Sequence, residues 1–139
     1  MNYRLSCAAD RKLDKCGFTL ECGGYEVYSE VFKCVSENLK ECIFESIYRG
    51  IRASRRFVKH EDIIRIEVQN NTACQWLSGY TEYKEYAEYI SKIFDVLESM
   101  DCRYMFVYEK NSYAKKYIAD HKLSTVGVSS LEDAMRGLD

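Results

Sequence analysis

The fold is decided by the stretch Asp62-Ile-Ile-Arg-Ile-Glu-Val-Gln-Asn-Asn-Thr-Ala-Cys-Gln-Trp-Leu77. Its first seven residues are strongly apolar, which is typical of a strand in the middle of a sheet that is covered on both faces. The residues from Asn70 to Leu77 then predict a short helix, which Ser78-Gly79 ends. A buried strand followed by a helix indicates a domain of the α/β class.

Three strands are predicted before this stretch. Residues 2–8 form the first, and residues 17–22 alternate apolar and polar side chains as a half-buried strand does. Residues 25–35 are rich in β-branched and aromatic residues, and Gly23-Gly24 can supply the positive φ angles of a tight turn. Three antiparallel strands therefore open the domain.

A helix is predicted between these strands and the strand that begins at Asp62. The apolar residues that recur every four positions are Leu39, Ile43, Ile47 and Ile51. They predict a core-facing helix over residues 37–57, with Ser36 as its N-cap. Because the chain crosses over through a helix, we expect the Asp62 strand to run parallel to the first strand.

The chain after the short helix predicts two longer helices around one more strand. Residues 83–100 form a helix, residues 102–108 a strand and residues 112–122 a helix. The apolar stripe of the helix predicted over residues 83–100 consists of Tyr83, Tyr86, Ile90, Ile93, Phe94 and Leu97. A capping-box pattern at Ser129 predicts a brief C-terminal helix.

The composition is that of one folded domain. Of the 139 residues, 47% are hydrophobic and 30% are charged, and no block of like charge indicates a disordered tail. We expect a single domain over residues 1–139, in which residues 123–139 are a short C-terminal extension. The net charge of −2 makes nucleic acid an unexpected partner, because proteins that grip phosphate backbones usually show a basic excess.

Neither export nor membrane insertion is expected. The N-terminal apolar run is interrupted by Arg4, so it lacks the apolar core of a signal peptide. No stretch elsewhere is long enough to cross a bilayer. A cytoplasmic protein without a membrane partner is therefore expected.

The cysteines are numerous but scattered. They are Cys7, Cys16, Cys22, Cys34, Cys42, Cys74 and Cys102. They form no Cys-x-x-Cys pair and are accompanied by only two histidines, so a zinc site is not expected. We expect buried, reduced thiols that act as small apolar side chains.

The order of elements resembles the ribonuclease H-like family, of the type 1 fold, over residues 2 to about 122. Glu37-Asn-Leu-Lys-Glu41 resembles the start of the family's first helix, where an Asn precedes a catalytic Glu by three positions, and Glu41 is the match. The run from Ile64 to Leu77 resembles the fourth strand and the following helix, which ends in Trp-Leu. The resemblance implies a five-stranded mixed sheet flanked by helices.

The resemblance also implies chemistry, from which this chain departs. The family hydrolyses phosphodiesters with two divalent cations held by about four carboxylates. At three of those positions this chain has Cys7, Gln69 and Lys115, and only Glu41 is retained. A thiol, an amide and an ammonium group are poor ligands for Mg²⁺. We therefore expect a catalytically inactive module without a cofactor, which acts through a protein partner or as a homo-oligomer.

Two alternatives stay open. A shifted register could place Asp10, Asp120 and, with a slid strand, Glu67 beside Glu41. The chain would then be a divergent nuclease that uses Mg²⁺ or Mn²⁺ on the RNA strand of an RNA–DNA hybrid or on another nucleic acid. The other alternative is an accessory or inhibitor protein of a phage or mobile element, from a bacterial or phage source.

Two surfaces are candidates for binding. The Tyr/Glu repeat of residues 80–89 supplies surface candidates because tyrosine is favoured at interface anchors. These candidates are Tyr80, Glu82, Glu85, Glu88 and Tyr89. A basic cluster consists of Arg49, Arg52, Arg55 and Arg56. It should be a solvated helix end, far from Glu41, although it could contact phosphates or an acidic protein surface.

Overall fold

The computed structural model describes residues 1–79 and 85–124. The strands are β1 (Asn2–Asp10), β2 (Lys15–Cys22), β3 (Tyr25–Lys33), β4 (Ile63–Val68) and β5 (Arg103–Tyr108). The helices are α1 (Leu39–Ser54), α2 (Asn71–Ser78), α3 (Ala87–Met100) and α4 (Tyr113–Asp120). This order confirms the one predicted from the sequence.

The five strands form one mixed sheet in the order β3-β2-β1-β4-β5. β1 pairs antiparallel with β2 and parallel with β4, with Leu5 opposite Leu20 on one side and Ile66 on the other. β4 in turn pairs parallel with β5. The predicted parallel crossover through α1 is confirmed, and β1 is the centre of the sheet.

Helices cover the two faces of the sheet unequally. The main core lies on the face that carries Leu5 and Phe18, where it is closed by α1, α2 and α3. Gly50 lets α1 approach this face, because an added Cβ would lie only 3.1 Å from a methyl carbon of Leu5. On the other face, Ala114 and Ile118 of α4 pack on β1, β2 and β3. β4 is therefore less covered than predicted: the side chain of Arg65 is 48% exposed.

The ends of the elements follow local chemistry, with one correction. Gly23 and Gly24 adopt the predicted positive φ angles at the β2–β3 turn. Gly79 ends α2 as predicted, in a left-handed conformation. The N-cap of α1 is Asn38, so the assignment to Ser36 was wrong. The Asn38 side chain accepts hydrogen bonds from the backbone N–H groups of Lys40 and Glu41, at 3.0 and 3.2 Å. Ser36 instead accepts the N–H of Asn38.

Some predictions fall outside the described residues. They are residues 83–84 of the helix predicted over residues 83–100 and the brief helix predicted at Ser129. Glu85 and Tyr86 are described and precede α3, which begins at Ala87, so the predicted start of this helix was too early. In residues 1–79 and 85–124, no helix combines the length and the apolar character that a membrane span requires.

Candidate functional site

The candidate site lies where β1 and β4 end, beside the N-terminal turns of α1 and α4. Glu41 is the third residue of α1, and its backbone N–H is capped by Asn38. Its side chain is half-buried. The helix start therefore places Glu41 in the first turn of α1, three residues after the Asn38 cap. The chemistry of the site depends on which groups accompany this carboxylate.

Gln69 directly follows β4 and binds the backbone of β1. Its Oε1 accepts the N–H of Ala9 at 2.8 Å, and its Nε2 donates to the carbonyl of Ala9 at 3.1 Å. The amide thus continues the pairing of β1 and β4 beyond the last backbone pair. A carboxylate could accept the Ala9 N–H but could not donate to the Ala9 carbonyl. The two hydrogen bonds to Ala9 therefore require an amide side chain at position 69.

Replacing Gln69 by glutamate keeps the shape but removes the donor. We expect Gln69→Glu to lower the free energy of unfolding by about 1–3 kcal/mol at neutral pH. The Ala9 carbonyl should raise the pKa of the introduced carboxyl above its unfolded value of about 4.3. The loss should therefore shrink as the pH falls and the protonated carboxyl again donates a hydrogen bond.

Urea denaturation at neutral and acidic pH measures this effect, and Gln75→Glu, on α2, is a control with the same change of charge. Equal losses in the two variants at every pH would contradict the role given to the Gln69 amide.

Cys7 points into the core. It lies on β1 opposite Phe18 and is 1% exposed. Burial, and to a lesser extent the nearby Glu67 carboxylate, raise the pKa of the Cys7 thiol. A thiol that stays protonated is neither a good ligand for a hard cation nor an activated nucleophile.

Glu67 is buried on the opposite face of the sheet from α1. Leu5 faces α1, so the next residue on β1, Ser6, faces away, and Glu67 is the β4 residue paired with Ser6. Glu67 Oε1 accepts a hydrogen bond from Ser6 Oγ at 2.6 Å, while Oε2 lies 3.4 Å from Arg65 Nε. The hydrogen bond from Ser6, which no sequence pattern indicates, gives the buried Glu67 carboxylate a partner on the face of the sheet opposite α1.

The shifted-register candidates Asp10 and Asp120, and the aligned residue Lys115, have local roles. Asp10 Oδ1 accepts the backbone N–H groups of Lys12 and Leu13, so Asp10 caps the turn between β1 and β2. Asp120 is the exposed last residue of α4. Lys115 is half-buried in the first turn of α4, at the end that binds β1 through Ser112 Oγ and the Cys7 carbonyl.

Glu41, Asp10, Glu67 and Asp120 do not converge. In the part of the chain that the structure describes, no three of these carboxylates have oxygens within 4.8 Å of one another. Hard divalent cations need several anionic oxygens at one point. The residues at this end of the sheet therefore do not fit a two-cation centre of the ribonuclease H kind.

The basic cluster is engaged within the fold. Arg49 pairs with Glu45 at 2.8 Å and lies over the ring of Phe32, 4.0 Å from its centroid. Arg56 lies over the rings of Tyr28 and Phe57. Arg52 and Arg55 also have partners within the chain. Arg52, Arg55 and Arg56 lie in or just after the last turn of α1, as expected, whereas Arg49 reaches back to Glu45, one turn from Glu41. The cluster is less solvated than predicted.

The Tyr/Glu repeat is divided between surface and core. Glu85 and Glu88 are exposed, whereas Tyr80 and Glu82 lie outside the described residues. Tyr89 was predicted at the surface, and that was wrong: its ring stacks on Phe44, and its hydroxyl donates to Glu45 at 2.9 Å. Burial and the Glu45 carboxylate raise the pKa of Tyr89.

Solved ribonuclease H structures share this architecture. Ribonuclease H1 LC11 from compost, bound to an RNA/DNA hybrid, is 16% identical, with a TM-score of 0.68 over 82% of this chain and 91% of that chain. The N-terminal ribonuclease H domain of Rv2228c from Mycobacterium tuberculosis is 8% identical, with a TM-score of 0.69 over 94% and 98%. Ribonuclease H1 from Halobacterium salinarum is 11% identical, with a TM-score of 0.60 over 78% and 86%.

Sequence comparison adds no closer relative. No protein-family model matches the chain, and no curated protein matches it. At identities of 8–16%, the solved structures show which fold the chain has and do not show its activity. The sheet order and the parallel crossover through α1 agree with these solved structures. The chain has the ribonuclease H-like fold.

Proposed function

We propose that this protein is a non-catalytic ribonuclease H-like module that acts through protein–protein contacts, and that its partner is a second copy of the chain. The observation that supports the non-catalytic part is that the Gln69 amide makes two hydrogen bonds to the Ala9 backbone. By the resemblance, Gln69 stands where the family has a catalytic Asp. Among residues 1–79 and 85–124, Glu41 has no cluster of carboxylates around it with which to hold divalent cations.

The association is assigned to the β5 edge of the sheet. An unprotected edge strand offers unpaired backbone groups to another chain, and proteins usually protect edges with charges or a covering segment. The β3 edge is protected by Glu26, Lys33 and the hydrogen bonds of Ser124 to Val31. β5 carries one charged residue, Arg103, and no described strand lies beyond it.

The side chains of β5 also favour an interface. Tyr104, Met105 and Tyr108 are 40%, 49% and 43% exposed. Tyrosine and methionine are enriched where protein surfaces meet. Two copies of β5 paired across a twofold axis would bury these side chains together and satisfy both edges.

The backbone N–H groups of β5 that point away from the sheet can be identified from those that hydrogen-bond to β4. The N–H of Arg103 donates to the carbonyl of Asp62, and the N–H of Glu109 donates to that of Val68. Residues of a strand alternate in direction, so the odd-numbered N–H groups face β4. The N–H groups of Tyr104 and Tyr108 therefore point outward, towards a partner strand.

Removal of one outward donor tests the proposal. We expect the wild type to form dimers in sedimentation velocity, and Tyr108→Pro to raise the dimer dissociation constant by about tenfold or more. Tyr108→Thr keeps the N–H and the strand propensity and should weaken the dimer less. A wild type that stays monomeric, or equal effects of the two variants, would overturn the assignment.

A further inference from the structure

The fold brings together three cysteines that are far apart in the sequence. Cys16 is the second residue of β2, Cys34 directly follows β3, and Cys42 lies in α1, next to Glu41. Their sulfur atoms all lie within 4.8 Å of one another, and those of Cys16 and Cys34 are 3.7 Å apart. No pairwise spacing in the sequence indicates this group, because each residue comes from a different element.

We propose that Cys16, Cys34 and Cys42 form a binding site for a thiophilic cation of the Zn²⁺ class. Zinc–sulfur bonds are about 2.3 Å long, so sulfurs around one ion lie about 3.8–4.0 Å apart in tetrahedral or trigonal geometry. The separation of 3.7 Å between Cys16 and Cys34 already fits. The remaining separations, at most 4.8 Å, need shifts below about 1 Å.

The surroundings favour a soft cation over a hard one. Thiolates select Zn²⁺ and Cu⁺, whereas Mg²⁺ requires oxygen ligands. On binding, each thiol gives up its proton to solvent and forms one metal–sulfur bond, with no change of oxidation state. Three thiolates around Zn²⁺ leave one net negative charge. The Arg11 guanidinium lies near Cys34, where its positive charge offsets that of the site.

The site has an entrance and a structural consequence. Cys16 and Cys42 are fully buried, but Cys34 is partly exposed, so the ion can enter beside Cys34 and keep its fourth position open to solvent. The ion would join β2, the end of β3 and the start of α1. It would therefore stabilise the packing of α1 on the sheet next to Glu41.

Cobalt spectroscopy tests the proposal. Co²⁺ added to the metal-free, reduced full-length chain should give a thiolate-to-cobalt charge-transfer band that saturates at one ion per chain and is abolished by Zn²⁺. Zn²⁺ should also raise the thermal midpoint, since it binds the folded state. Cys34→Ser, at the most exposed of the three positions, should weaken Co²⁺ binding at least about tenfold.

Two matched variants separate this site from the other thiols. Cys22→Ser is a control for a half-buried cysteine and Cys74→Ser for a buried one, and both should keep the wild-type titration. Circular dichroism checks that each variant is folded. A thiol titration of the denatured wild type checks that all seven cysteines are reduced. The proposal is overturned if this reduced wild type gives no charge-transfer band, or if the band is unchanged in Cys34→Ser.

Discussion

Replacing Phe44 with alanine is expected to lower the free energy of unfolding by about 3–5 kcal/mol. Phe44 is fully buried in α1, and its ring stacks on Trp76 of α2 and on Tyr86 and Tyr89 around the start of α3. These ring centroids lie 5.2 to 6.4 Å from that of Phe44. The substitution leaves a cavity at a ring of α1 that contacts residues of α2 and of the start of α3.

Urea denaturation measures the loss in Phe44→Ala. The control is Leu39→Ala in the same helix, because Leu39 is 44% exposed and its truncation should cost less than about 0.5 kcal/mol. A loss below about 1 kcal/mol for Phe44→Ala would contradict the packing described for the three helices.

The second large effect is expected from Gly17→Ala in β2. An added Cβ would lie 2.5 Å from the backbone oxygen of Glu30 and 2.6 Å from a methyl carbon of Ile118 in α4. Both distances are shorter than real Cβ contacts allow, and the Glu30 oxygen is part of the neighbouring strand. We expect a loss at the upper end of the range of about 1–3 kcal/mol for overpacked cores.

Gly24→Ala is the matched control for Gly17→Ala. Gly24 has a φ of +83° but open space around its Cα, so its substitution strains the backbone without a clash. The thermal midpoint of Gly17→Ala should fall further than that of Gly24→Ala. Equal midpoints would show that α4 does not press on β2 as described.

Periodic and local signals predicted most of the fold. Of the four residues whose spacing predicted the core face of α1, Ile43, Ile47 and Ile51 are buried and Leu39 is exposed. The glycine pair at residues 23–24 predicted the β2–β3 turn. The helix crossover gave the parallel pairing of β1 and β4. These features depend on residues close together in the chain.

Features set by distant contacts could not be predicted. Ser36 and Asn38 are equally good N-caps by residue type, and only the structure decides between them. Tyr89 lies off the apolar stripe of α3, yet it is half-buried because α1 packs beside it. The Gln69–Ala9 pairing joins residues sixty positions apart, which no local pattern indicates.

The most direct test of the non-catalytic assignment is calorimetric titration of the wild type and Glu41→Ala with Mg²⁺ and Mn²⁺, paired with cleavage of an RNA/DNA hybrid. The RNA/DNA hybrid is the substrate that the divergent-nuclease alternative predicts. We expect no saturable binding heat in either protein, and no cleavage under conditions in which an active ribonuclease H cleaves the same duplex. Saturable binding and cleavage by the wild type, both lost in Glu41→Ala, would contradict the assignment and make the protein a divergent nuclease.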